Sequence, residues 1–335
     1  QIPHPPLRKF TQKLFRSRRC PRTFVNYGKE WRVKMADQAL DYTGTMQWKH
    51  GSTWYRVIGN LKSKMTPAVV IHGGPGAPHN YVLGIVHLIA MTGRPVIVYD
   101  QIGCGQSTHL SDKPSEFWTV ELFKEELNLL LKELKISKKY LLVGQSWGGI
   151  LSFAHAVDKP KGLKGLVIAN SLASVPKWLP EIERLVSELP AVHRKAVHKG
   201  LKEGNYTSPE FEAANDFFTL RHLVRVPMTT DVAEAFGQLA INPTVYAAMW
   251  GPVEFAPIGS LNTWDVEDQL KKIKVPTLLI NGKFDEVTPK MQKRLVKKIK
   301  GAEWVCLPHS SHLSWVEEPA AWINAVSDFL KRKKL

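Results

Sequence analysis

The 335-residue sequence is poor in several features that would assign a function directly. It holds three cysteines, Cys20, Cys104 and Cys306. Few, odd in number and far apart, they fit neither a disulfide framework nor a zinc cluster and suit a reducing compartment. No apolar run nears the roughly 18 residues that cross a bilayer, so the sequence predicts a soluble protein without a membrane partner. There is no H-E-x-x-H pattern, and neither a metal nor another cofactor is implied. Internal repeats and low-complexity segments are lacking. Acidic residues are nearly absent from the start of the chain: residues 1–34 carry ten Lys or Arg against Glu30 alone, a balance of +9 within a net charge of +16. Most of the charge that would suggest a nucleic-acid partner therefore belongs to a tail, and none is expected for the remainder.

That tail contains Pro3, Pro5, Pro6 and Pro21 and shows little helical periodicity, so residues 1–40 read as a basic, disordered extension. It lacks the apolar stretch of a secretory signal. Three readings stay open: a stretch upstream of a natural start at Met35, a mitochondrial transit segment, and an arm for RNA or membrane. The expected compartment is the cytoplasm, or the mitochondrion if the tail is a transit segment.

From Asp41 onward the pattern is regular. Thr43 to His50 and Thr53 to Ile58 alternate as two antiparallel strands joined near Gly51. Short β-branched runs follow at Ala68 to Ile71, Pro95 to Tyr99, Lys139 to Val143, Leu166 to Ala169, Thr277 to Ile280 and Trp304 to Leu307. Apolar on both faces, they suit a mostly parallel sheet covered by helices on both sides. Helical periodicity lies between them, strongest from Thr119 to Lys135 with its Leu stripe. Strand signals stop between 171 and 265, where five helical stretches predict a cap inserted late in the sheet. The expected organisation is an α/β core over 41–170 and 266–335 with a helical cap over 171–265.

The chemistry centres on Gly144-Gln145-Ser146-Trp147-Gly148, between a strand and a helix. In such a turn small residues permit a sharp bend that exposes the serine hydroxyl, which makes Ser146 the candidate nucleophile. A serine nucleophile needs a base and a group to orient it, and on an α/β-hydrolase fold these follow in the order acid, then histidine. Asp285 comes after the strand ending at Ile280, and His312 after the strand ending at Leu307. Both would emerge on the rim that carries Ser146. His309 is a rival base; His312 is preferred because Leu313, Trp315 and Val316 can pack it in place. Backbone N–H groups for the oxyanion would come from Trp147 and from the loop His72-Gly73-Gly74-Pro75-Gly76. A phosphate cradle would need a G-K-S/T ending that is missing, and Gly103-Cys104-Gly105 lacks the third glycine of a dinucleotide fingerprint.

Together His72 to Gly76, Tyr99-Asp100-Gln101 with Gly103, Gly105 and Ser107, and Gly144 to Gly149 resemble the proline iminopeptidase family of α/β-hydrolase serine peptidases. Within it the sequence is most similar to the tricorn-interacting type, a broad aminopeptidase. The resemblance runs from about Thr43 to the C-terminus and includes Gly251-Pro252-Val253-Glu254-Phe255. It implies a triad of Ser146, Asp285 and His312, an oxyanion hole from Gly74 and Trp147, and recognition of a free substrate amine by Glu254 and Glu286. The implied activity is release of N-terminal proline, or another small apolar residue, from short peptides or amino-acid amides through an acyl-enzyme. Phe217, Phe218, Tyr246 and Trp250 could wall a proline-sized pocket or pack the cap. An esterase, lactonase or amidase of a neutral small molecule is the alternative, since pocket shape decides substrate. Epoxide and haloalkane hydrolases carry an aspartate at the position of Ser146.

Overall fold

The structure, a computed structural model, describes residues 40–335. The expected basic extension, with Cys20, lies outside the described residues except for Leu40.

In chain order the structure runs β1 (Asp41–Trp48), β2 (Gly51–Ile58), β3 (Ala68–Ile71), α1 (Leu83–Ala90), β4 (Val96–Tyr99), α2 (Val120–Glu133), β5 (Tyr140–Gln145), α3 (Trp147–Ala156) and β6 (Leu163–Ala169). Five helices follow: α4 (Leu179–Ser187), α5 (Ala191–Glu203), α6 (Pro209–His222), α7 (Thr230–Ile241) and α8 (Thr244–Met249). The chain closes with β7 (Thr277–Gly282), α9 (Pro289–Lys298), β8 (Glu303–Leu307), α10 (Ser314–Glu317) and α11 (Pro319–Arg332).

The eight strands form one sheet in the order β1-β2-β4-β3-β5-β6-β7-β8. β1 pairs with β2 and β2 with β4 antiparallel; every pair from β4 through β8 is parallel. Side-chain alternation along the buried strands feeds two cores. Val69 and Ile71 of β3 face the layer that holds Leu127 of α2, Phe153 of α3 and Leu295 of α9. Ala68 and Val70 face the opposite layer, with Ile85 of α1 and Phe329 of α11. Each such Ile, Leu or Phe adds roughly 1.5–3 kcal/mol by leaving water, so a sheet buried on both sides needs the unbroken apolar runs seen here. The helix α2 starts where Thr119 accepts the N–H of Leu122 and stops the extended chain before it.

Successive connections carry the chain from β3 outward to β4 and then back across to β5 on the other side. That reversal opens a crevice beyond the C-terminal ends of β3 and β5, where such sheets bind ligands. The glycine-rich loop follows β3 and Ser146 follows β5, so both flank this crevice.

The helices α4 to α8 lie between β6 and β7, and the segment leaves and re-enters the core at one place. Ser174 and Asp265 form an antiparallel bridge, with Val175 N–H donating to Trp264 O at 3.0 Å and Val266 N–H to Ala173 O at 2.9 Å. At the C-terminus Arg332 and Lys333 pair with Glu303 of the edge strand β8 at 2.5 and 2.9 Å.

Candidate active site

Ser146 sits between β5 and α3 with φ +52° and ψ −120°. A side chain in that region costs on the order of 1–3 kcal/mol and persists only where the surroundings enforce it. They do so here: Ser146 N–H donates to Ala169 O at 3.0 Å, and its carbonyl accepts Ser171 Oγ at 2.7 Å. The next turn packs so closely on β3 that a Cβ on Gly148 would lie 2.1 Å from the carbonyl oxygen of Ile71. Only glycine fits there.

The base side is assembled from two later loops. His312 Nδ1 lies 2.8 Å from Asp285 Oδ1, and Asp285, His312 and Glu286 are 1%, 4% and 2% exposed. Asp285 Oδ1 also accepts Val287 N–H at 3.0 Å, while its Oδ2 accepts Asn170 Nδ2 at 2.7 Å. Burial presses His312 toward its neutral form, but the charge and hydrogen bond of Asp285 outweigh it and raise its pKa above 6.5. A neutral His312 thus presents Nδ1–H to the carboxylate and leaves Nε2 as a proton acceptor. Leu313 and Trp315 beside it are buried, and Tyr81 meets Trp315 edge to face at 5.5 Å. His309 is exposed, and its backbone N–H is tied to Glu318.

The loop after β3 supplies the other wall. Gly74 has φ +106°, a conformation that favours glycine. Neither its N–H nor that of Trp147 donates to an acceptor among the described residues. A residue that the sequence leaves without a role, Gln101, connects the two. Its backbone N–H donates to His72 Nε2 at 3.1 Å, and its Oε1 accepts Trp147 Nε1 at 2.8 Å. His72 must therefore carry its proton on Nδ1, which donates to Gly73 O at 3.0 Å. Complete burial holds its pKa down at about 4, so the imidazole stays neutral. Next to Gln101, Glu126 of α2 accepts Thr53 Oγ1 at 2.5 Å and Ile102 N–H at 2.8 Å. Burial pushes its carboxyl up to about 8. The Leu stripe of α2 gives no hint that a glutamate lies inside it.

Two further carboxylates crowd the base. Glu286 Oε1 is 3.7 Å from His312 Nδ1, and Glu286 Oε2 is buried without a hydrogen-bond partner. Burial, then the charges of Glu254 and Asp285, drive the Glu286 carboxyl well above its ordinary 4.5. Glu254 accepts Tyr246 Oη at 2.8 Å, and its backbone oxygen accepts Trp250 Nε1 at the same distance. Among the described residues neither glutamate pairs with a lysine or arginine.

The four aromatic candidates divide. Tyr246 and Trp250 hold Glu254, and Trp250 meets Trp178 edge to face at 5.4 Å. Phe218 is fully buried against Phe255 and His222, which is the packing role. Phe217 turns elsewhere, stacking on His193 at 4.6 Å under Arg221. Consecutive residues on a helix point about 100° apart, so Phe217 and Phe218 serve different faces of α6. Asn170 is a further residue without a sequence signal beyond its place at the end of β6. Its Oδ1 accepts Ser314 Oγ at 2.6 Å while its Nδ2 holds Asp285 and Ser311 O.

Residues 66–319 match the family described as the alpha/beta hydrolase fold. The chain is 35% identical over 287 residues to the proline iminopeptidase of Levilactobacillus brevis, spanning 85% of this chain and 95% of that one. The crystal structure of the proline iminopeptidase of Mycobacterium smegmatis superposes with a TM-score of 0.81 at 39% identity, covering 87% of this chain and 98% of that one. The crystal structure of VinJ gives 0.83 at 41% identity with the same coverage.

Proposed function

The chain belongs to the proline iminopeptidase family of α/β-hydrolases, and from that premise we propose that it releases N-terminal proline from peptides through an acyl-enzyme on Ser146. The observation that carries the amine specificity is the pair Glu286 and Glu254, two carboxylates beside His312 with no cationic partner among the described residues. A protonated prolyl nitrogen has two N–H donors and one charge. At about 4 Å each carboxylate attracts it by roughly 4 kcal/mol before desolvation, and together they fix its register against Ser146. Burial raises the Glu286 carboxyl most, and the arriving cation relieves the repulsion from Glu254 and Asp285 that adds to it.

In the reaction His312 Nε2 takes the proton of Ser146 Oγ as that oxygen attacks the prolyl carbonyl carbon. The developing oxyanion accepts the N–H groups of Gly74 and Trp147. As the tetrahedral adduct collapses, His312 returns the proton to the departing nitrogen of the next residue. Water then attacks the prolyl ester, with His312 again the base, and proline leaves. Asp285 keeps the imidazole in the tautomer that needs. Residues 171–265 act as a cap whose Tyr246 and Trp250 aim Glu254 into the site. The free thiols of Cys104 and Cys306 suit a reducing compartment, and we place the enzyme in the cytoplasm.

The test is chromophore release from proline, alanine and leucine anilides beside N-acetylated copies and a butyrate ester, with Ser146→Ala as the blank. Turnover confined to free-amine anilides, fastest for proline, is the expected result. Cleavage of the ester with silence on every anilide would sink this reading in favour of neutral acyl substrates.

A further inference from the structure

The loops that carry the acid and the base are not held by the sheet alone. The end of α6 and the three residues after it lie against both. His312 N–H donates to His222 O at 3.1 Å, and Leu313 N–H to Leu223 O at 2.9 Å, so the backbone of the base is paired with the inserted segment. The His222 side chain reaches the other loop: its Nδ1 is 2.8 Å from the carbonyl oxygen of Phe284, the residue before Asp285. A carbonyl only accepts, so this nitrogen carries the proton and donates. Three residues on, the Arg225 guanidinium stacks 3.7 Å over the Phe284 ring and donates from Nη1 to His309 O at 3.2 Å. Arg225 N–H donates to Glu317, which also receives the N–H and hydroxyl of Ser311 beside the base. One short piece of chain thus bonds to Phe284, His309, His312 and Leu313, and through Glu317 to Ser311.

We propose that His222, supported by Arg225, is a positioning group: it splints the Asp285 loop to the His312 loop, so that the inserted helices set the geometry of the acid–base pair. The proposal rests on the triad assigned above. A displacement of about 1 Å between reacting groups costs up to about 100-fold in rate, while the substrate amine keeps Glu254, which is held by Tyr246 and Trp250 independently of the Asp285 loop. The effect therefore falls mainly on kcat and on the ionisation of His312, and least on KM.

The experiment compares His222→Leu, which deletes the donor, with His222→Asn, whose amide nitrogen can occupy the place of Nδ1. Steady-state turnover of proline anilide is measured with the rate of Ser146 labelling by a fluorophosphonate, each across pH. His222→Leu is expected to lower kcat and labelling about 10- to 100-fold with KM changed less than about twofold. His222→Asn is expected to recover to within about threefold of wild type. The acidic limb should move to lower pH in His222→Leu. Asp285 at 2.8 Å, Glu286 at 3.7 Å, and the charges of Glu254 and Glu317 face His312, and loosening its grip on Asp285 lowers its proton affinity.

Wild-type kcat in a folded His222→Leu, or an Asn variant as slow as the Leu variant, would overturn the splint. So would a limb that stays in place while only melting temperature falls. If His222→Leu does not fold, Arg225→Met against Arg225→Lys makes the same comparison, with about threefold lower kcat at unchanged KM expected for Met and equal kcat overturning it. Labelling needs no amine substrate. A wild type that labels at Ser146 yet turns over no free-amine anilide refutes the aminopeptidase reading and leaves the splint to be decided by labelling rates.

Discussion

The two halves of the candidate site are held in different ways. The nucleophile half is built from the sheet and its own connections. Gln101 ties His72 to Trp147 through neutral hydrogen bonds, and Glu126 holds Ile102. The base half is held by Asn170 at the end of β6 and also from the inserted segment: His222 and Arg225 grip the Phe284 and His309 loops, and Tyr246 holds Glu254. One half has a single carboxylate, Asp100, tied to His79, beside its neutral hydrogen bonds; the other gathers three carboxylates, Asp285, Glu286 and Glu254, around one histidine. A change in the inserted helices therefore reaches His312 and Asp285 as well as Glu254, while the hydrogen bonds that hold Ser146 come from Ala169 and Ser171.

The sharpest way to break the comparison is at the turn that carries Ser146. Ser146→Ala should abolish turnover, by at least about 10⁴-fold in kcat, with the melting temperature unchanged or raised; persistent anilide cleavage would remove the triad assignment. Next in size is the charged half. Glu254→Gln combined with Glu286→Gln should cut kcat/KM for proline anilide by about 10²- to 10³-fold, the loss of roughly 3–4 kcal/mol of amine attraction, while fluorophosphonate labelling of Ser146 stays within a few-fold. Equal losses in both assays would mean that the glutamates only support the fold.

A smaller effect probes the nucleophile half. Gln101→Leu removes the acceptor of Trp147 Nε1, and oxyanion donors act only in the transition state. An approximately tenfold fall in kcat with KM within twofold is expected from the kinetics, and a change confined to KM would contradict it. The last contrast is in stability. Glu126 keeps its proton when folded up to about pH 8, whereas the unfolded chain releases it near 4.5. The folded state thus holds the extra proton across that window, and the contribution of this group to stability falls as pH rises. Glu126→Gln should erase that decline, so its melting temperature relative to wild type should climb between about pH 5 and about pH 8. A constant difference would mean that Glu126 ionises freely in the fold.

Much of this was legible in the residues. The strands are short runs apolar on both faces, and only a doubly covered sheet accommodates them. The Gly144 to Gly148 turn and the His72 to Gly76 loop are contiguous, so the close approach they permit is written in neighbouring letters. Asp285 and His312 could be named because chain order on a parallel sheet fixes the rim on which each loop emerges. Tertiary structure decided the rest. Phe217 and Phe218 are adjacent letters, yet helix geometry sends one to His193 and the other into the core. Asn170, Gln101 and His222 carry no local pattern, since each acts through partners more than 25 positions away: Asp285, His72 and Phe284. Glu126 looks like one more polar residue on an amphipathic helix until Thr53 and Ile102 close over it. Sequence alone settled what could be read from period and neighbourhood; hydrogen bonds and burial between distant segments exist only once the chain has folded.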